Sequence, residues 1–183
     1  ILEPEAMHML LDKATEFLIG RAKAYKEAGA NGVFLAEPTA GILSPEQCEE
    51  FSSVYVKRLV DAVQDNSFYV ILHNCGDVVN MVDSMYHTGA KGYHFGNSVD
   101  MKDILPQIPE DVLVFGNIDP VGAFCQGTEE EIKESTKALL KDMEPYPHFV
   151  LSSGCDISPL AELDHISAYF AACEEYNASM SER

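Results

Sequence analysis

Apolar residues recur along this chain in two alternating rhythms, one helical and one of short continuous runs. Behind Glu3-Pro4, residues Met7, Leu10, Leu11, Ala14, Leu18, Ala22 and Tyr25 fall at helical spacing, and Gly29 sits where a helix C-terminus is capped. The run Gly32-Val33-Phe34-Leu35-Ala36 then reads as a buried strand. Ser44-Pro45-Glu46-Gln47 combines a capping box with proline at the first helical position. It predicts a helix to about residue 64, with Phe51, Tyr55, Leu59 and Val63 on one face. Residues 68–72, Phe-Tyr-Val-Ile-Leu, form the strongest strand signal. A helix is expected over 77–87, ended by Gly89, then a strand at 92–95, a brief helix at 100–105 and a strand at 112–115. Thr128 and Glu131 form a second capping box, opening a helix that carries Ile132, Leu139, Leu140 and Met143. The last strand is expected at 149–151. Ser158-Pro159 is expected to start the final helix, which ends near Tyr176 before a frayed tail at 177–183.

Five strands, each followed by a helix, predict an α/β chain. Continuous apolar strands are covered on both faces, as in parallel sheets. Two architectures satisfy this: a doubly wound open sheet, or part of a (β/α)₈ TIM barrel. A whole barrel takes eight units and about 250 residues, so five units in 183 residues make an incomplete one. No low-complexity linker interrupts the chain, and residues 1–183 are expected to form a single domain.

Composition narrows the range of functions. Apolar residues make up 46% and charged residues 23%, a balance that supports a packed core. With 30 acidic and 12 basic side chains the net charge is −18, which repels nucleic-acid phosphates and anionic lipid. No apolar run approaches the ~20 residues of a membrane span, and no basic segment followed by an apolar one opens the chain. A cytoplasmic location is therefore expected. The five cysteines, an odd number, argue against a disulfide scaffold and for free thiols.

Both architectures place ligands at the C-terminal ends of the strands. Those ends carry Glu37, then His73-Asn74-Cys75-Gly76-Asp77, then His94, then Asn117-Ile118-Asp119, then Ser153-Gly154-Cys155-Asp156. Cys48, Cys125 and Cys173 fall within helices and read as packing residues. His73, Cys75 and Cys155 together are an imidazole and two thiols, the donor types of tetrahedral zinc; three protein donors with a fourth position open characterise a catalytic site. The bland alternative is a buried histidine beside two unrelated core thiols. Glu37 is a candidate fourth ligand, substrate contact or loop carboxylate, and His94 a ligand or a packing residue. Asn117 and Asp119 are candidates for holding a polar ligand, and Asp119 equally for capping a helix that starts at Pro120. Asp77 and Asp156 read as caps.

Gly116-Asn117-Ile118-Asp119-Pro120 resembles the G-N-[IL]-D-P segment of the uroporphyrinogen decarboxylase superfamily, and Ala28 to Pro38 is similar to that superfamily's corresponding strand and loop. His73-x-Cys75 followed by Ser152-Ser153-Gly154-Cys155-Asp156 resembles its zinc-dependent corrinoid methyltransferase branch, whose best-known members are methylcobamide:coenzyme M methyltransferases. The likeness runs from about Ala28 to Tyr176. It implies the C-terminal five βα units of a (β/α)₈ barrel. Since the first three strands have no counterpart here, a trimmed or truncated chain, or one that closes against a second chain, is expected. It implies zinc on His73, Cys75 and Cys155, and a substrate pocket including Glu37, with Glu37 as the catalytic candidate, and Asn117, Asp119 and His94 as substrate-binding ones. The implied reaction moves a methyl group from a corrinoid on a partner protein to a thiol such as coenzyme M, or to a folate. The alternative within the fold is a metal-free decarboxylase acting on a porphyrinogen. It calls for a cluster of arginines to hold several carboxylates, and this chain has only Arg21, Arg58 and Arg183. A corrinoid-binding carrier module is a third reading, but the D-x-H-x-x-G loop of such carriers has no counterpart here.

Overall fold

The computed structural model describes residues 2–181, so Arg183 and the end of the expected tail lie outside the described residues. Five strands form one parallel sheet in the order β1-β2-β3-β4-β5. They are β1 (Gly32–Ala36), β2 (Tyr69–Asn74), β3 (Gly92–Phe95), β4 (Leu113–Ile118) and β5 (Phe149–Ser153). A doubly wound sheet reverses its strand order at a switch point. This order never reverses, so the sheet is the one consecutive βα units of a barrel make. The α-helices are α1 (Pro4–Glu27), α2 (Pro45–Cys48), α3 (Val54–Val63), α4 (Val82–Tyr86), α5 (Met101–Ile104), α6 (Glu129–Met143) and α7 (Leu163–Ser181). The chain divides into two compact units, Ile1–His94 and Phe95–Arg183.

In the first unit, α1 packs on α3 and β1. Thr15 and Ala22 are buried and Met7, Leu11 and Leu18 half-buried, whereas Leu10 and Tyr25 of the expected apolar stripe are exposed. The capping box at Ser44 forms, with reciprocal 3.2 Å hydrogen bonds to Gln47. The helix expected over 45–64 is split by a π-turn at Glu49–Ser53. Phe51, Tyr55, Leu59 and Val63 remain buried across the split. The helix expected over 77–87 is reduced to a 3₁₀ turn, Val79–Met81, leading into the short α4. β1 pairs with β2 from Gly32 against Tyr69 to Ala36 against His73. β3 is buried along its whole length. β1 is not covered on both faces, since Phe34 is 59% exposed and meets the His94 ring edge-on.

Between α3 and β2 the Asp65 carboxylate accepts from Lys26 Nζ at 2.5 Å and from the Ser67 and Phe68 amides. The Lys26 bond, with help from Ser67, holds this carboxyl well below the usual carboxylate range. A carboxyl whose folded pKa is depressed stabilises the fold above its unfolded pKa and loses that contribution as pH falls through the folded value. Asp65→Asn is therefore expected to lower stability near pH 7. The gap from the unaltered protein should shrink steadily as unfolding is measured below about pH 4. A gap independent of pH would contradict this account.

In the second unit, Thr128 and Glu131 form their capping box at the start of α6. The core gathers Ile118, Phe124, Ile132, Ala168 and Tyr169, with Leu139, Leu151 and Ile166 packed around them. α6 and α7 pack together, and α6 contributes the fully buried Ile132 and Thr136. Ser158-Pro159 makes a turn rather than a helix start, with Ser158 Oγ accepting from the Leu160 amide. α7 begins at Leu163 and continues to Ser181, so residues 177–181, expected to be frayed, are helical.

Candidate metal centre

His73 lies inside β2 and Cys75 one residue beyond its end. His73 is 8% exposed, and its Nδ1 stands 3.2 Å from the His94 backbone oxygen. A carbonyl only accepts, so Nδ1 carries the proton and Nε2 presents a lone pair, the tautomer a metal-binding imidazole needs. The His94 ring stacks obliquely on that of His73, with centroids 4.6 Å apart. The segment after β2 is tied to the end of β1. The Glu37 amide donates to the His73 oxygen at 3.0 Å, and Asn74 Nδ2 donates to the Glu37 oxygen at 2.7 Å. Gly76 touches Gly41 backbone to backbone, since a Cβ on Gly76 would lie 2.8 Å from the Gly41 Cα.

Cys155 follows β5 across Gly154. The Gly154 amide donates to the Ile118 oxygen at 2.7 Å, and a Cβ on Gly154 would meet the Asn97 nitrogen at 2.7 Å. Only glycine lets the backbone approach this closely. Ser153 Oγ then donates to the Cys155 oxygen at 2.8 Å, turning the chain back on itself.

One ligand-capable atom from each of His73, Cys75 and Cys155 lies within 4.8 Å of the other two. Donor atoms around one tetrahedral zinc stand about 3.5–4 Å apart at ordinary Zn–S and Zn–N lengths. No other such group of histidine, cysteine or acidic side chains occurs among the described residues. Cys48 is buried and Cys125 and Cys173 are half-buried, each outside the group.

The remaining candidates occupy different surroundings. Glu37 is not in the three-residue group. Its carboxylate accepts from Ser52 Oγ at 2.7 Å, and burial pushes this carboxyl up, partly offset by that bond. Glu37 and Ser52 line a cavity of about 400 Å³ whose other walls include Met7, Leu11, Ile42 and Phe51. Asn117, inside β4, donates through Nδ2 to the Gly96 and Val99 oxygens at 3.0 and 2.8 Å. Asp119 Oδ1 accepts from the Val121 and Gly122 amides at 2.9 Å each, capping a π-turn at Gly122–Gln126. The capping role read from Asp119-Pro120 is thus met by a turn rather than an α-helix.

The sequence places Asn74 in the polar segment after the second strand without a role of its own, and it does not single out Ser52. For Asn74 a signal was present: Asn followed two residues on by Gly is the pattern of a side chain bonding the backbone at i+2.

No helix among the described residues is long and apolar enough to cross a membrane. A methylcobamide:CoM methyltransferase MtbA of Methanosarcina acetivorans is 29% identical over 174 residues, covering 94% of this chain and 50% of that protein. A uroporphyrinogen decarboxylase of Pseudoalteromonas translucida is 25% identical over 179 residues, 96% of this chain and 50% of that protein. Among solved structures, a methyltransferase from Methanosarcina mazei superposes with a TM-score of 0.80 at 28% identity, over 91% of this chain and 48% of that one. The chain spans about half the length of the curated relatives it matches. The uroporphyrinogen decarboxylase (URO-D) family matches residues 1–176, nearly the whole sequence, and the chain belongs to that family.

Proposed function

We propose that the protein containing this chain is a zinc-dependent methyltransferase that moves a methyl group from a corrinoid carried on a partner protein to a small thiol such as coenzyme M. The observation that supports this reading is the donor set, an imidazole and two thiols at the ends of β2 and β5 that could hold a metal ion. Both families of enzyme occur among the relatives, and the donor set favours the methyltransferase reading. When bound, zinc supplies a Lewis acid that lowers the pKa of an acceptor thiol while two protein thiolates keep electron density on the metal. His73 holds its imidazole in the correct tautomer through the His94 oxygen, and Cys75 and Cys155 supply the anionic donors. In the reaction the acceptor sulfur forms a bond to the methyl carbon as the cobalt–carbon bond breaks. The bonding pair stays on cobalt and the thiol proton passes to solvent.

The decarboxylase reading gains nothing from the arginines. Arg21 donates to the Tyr25 hydroxyl and Arg58 pairs with Asp12, leaving both occupied within the first unit. The test is methyl transfer by the intact, zinc-loaded protein from methylcobalamin to coenzyme M, followed by the visible spectrum of the cobalamin. Loss of the methylcobalamin spectrum with formation of methylated thiol is expected, and its near-abolition in Cys155→Ala. An inert intact protein, or an unaltered rate in that variant, would overturn the proposal.

A further inference from the structure

We propose that Asn74 is a positioning residue for Cys75, a role that rests on the zinc reading above and extends it. Asn74 ends β2 and is 1% exposed. Strand alternation puts His73 and Asn74 on opposite faces of β2, and Cys75 follows in the turn that the Asn74 side chain closes. Its Oδ1 accepts from the Gly76 amide at 2.8 Å, a bond that spans Cys75 from one peptide to the next but one. Its Nδ2 donates to the Glu37 oxygen at 2.7 Å. The same turn is pinned on the other side by the Glu37 amide bonding the His73 oxygen, and by the contact of Gly76 with Gly41. The backbone on both sides of Cys75 is therefore fixed through one carboxamide.

The chemistry selects asparagine. The position needs an acceptor for Gly76 and a donor for Glu37 on one short side chain. Aspartate keeps the acceptor but sets a charge against a carbonyl. Alanine leaves the half-buried Gly76 amide without its acceptor and takes from the Glu37 oxygen one of its two donors, the Ala40 amide at 3.1 Å remaining. Holding a ligand by a hydrogen-bonded neighbour is how proteins orient metal donors, and losing such a partner typically weakens metal binding about 10–100-fold.

The experiment measures zinc affinity by chelator competition, and the near-ultraviolet thiolate-to-metal and visible bands of the cobalt(II)-substituted intact protein. Asn74→Ala is expected to weaken zinc about 10–100-fold and to diminish the thiolate band. Asn74→Asp keeps the shape and the Gly76 acceptor, and should weaken zinc by roughly tenfold; it decides the matter if the alanine variant does not fold. Thr128→Ala, which removes the distant cap of α6, should lower stability while leaving affinity and cobalt bands unchanged. Unaltered affinity and bands in a folded Asn74 variant would overturn this role. The absence of any Cys75- and Cys155-dependent thiolate band in the unaltered protein would overturn the zinc reading, and this role with it.

Discussion

Cys155→Ala is expected to take the zinc content of the intact protein from about one ion per chain to near none. Removing one thiolate leaves an imidazole and a single sulfur, too few donors to hold the ion against water and chelators. His73→Ala and Cys75→Ala are expected to have the same effect, because the three side chains form one group. Cys48→Ala, Cys125→Ala and Cys173→Ala remove thiols that lie outside it and should leave the zinc content as it was. Metal analysis of the purified variants checks the set. Because a metal that binds only the folded state stabilises it by mass action, the three ligand variants should also lose the rise in melting temperature that zinc gives the unaltered protein. A metal content indifferent to Cys155, or zinc bound equally without Cys75, would remove the foundation of the proposed activity.

Phe124→Ala is expected to destabilise the fold by about 3–5 kcal/mol, the usual cost of emptying a buried aromatic site. Phe124 is fully buried, its ring 5.5 Å from that of Tyr169, within the cluster that also holds Ile118, Ile132 and Ala168. Its backbone oxygen accepts from His165 Nδ1 at 2.8 Å, a bond the substitution leaves in place, so the loss reports packing. Phe124→Leu, which keeps most of the volume, should cost less than about 1.5 kcal/mol. Denaturant unfolding at equilibrium measures both. Against a total stability of about 5–15 kcal/mol for natural domains, the alanine variant stands near the threshold of folding. A cost under about 1 kcal/mol would mean that the site collapses freely.

The apolar runs located every strand, but for β2, β4 and β5 they ended too early, at the polar ends. The run at 68–72 stops before His73 and Asn74, yet β2 includes both, because the backbone at Ala36 still offers His73 a ladder partner. The run at 112–115 likewise stops at Gly116, while β4 continues to Ile118 with Asn117 paired to Ser152. Hydrogen bonding extends a strand regardless of side-chain polarity, so hydropathy marks the buried part and misses the polar end where ligands bind. Helix interruptions are hidden for a different reason. The π-turn at Glu49–Ser53 adds a residue per turn without disturbing which apolar side chains are buried. The Ser158-Pro159 signal is genuine local chemistry, but it is spent on a turn ahead of α7. The three candidate ligands follow from residue type and strand position. The surroundings of Glu37 do not, since its hydrogen bond to Ser52 depends on how the split helix folds back.

The strictly sequential strand order has a consequence for synthesis on the ribosome. No strand must wait for a later one to be inserted between itself and its neighbour. β2 has its template in β1 as soon as it emerges, and β5 finds β4 already made. Domains acquire structure from the N-terminus as the chain is made, and pairing between nearest strands in sequence keeps loop closure short. Such a sheet can grow by accretion at one edge, one unit docking on the last, while a doubly wound sheet must cross back at its switch point and add its later strands to the opposite edge.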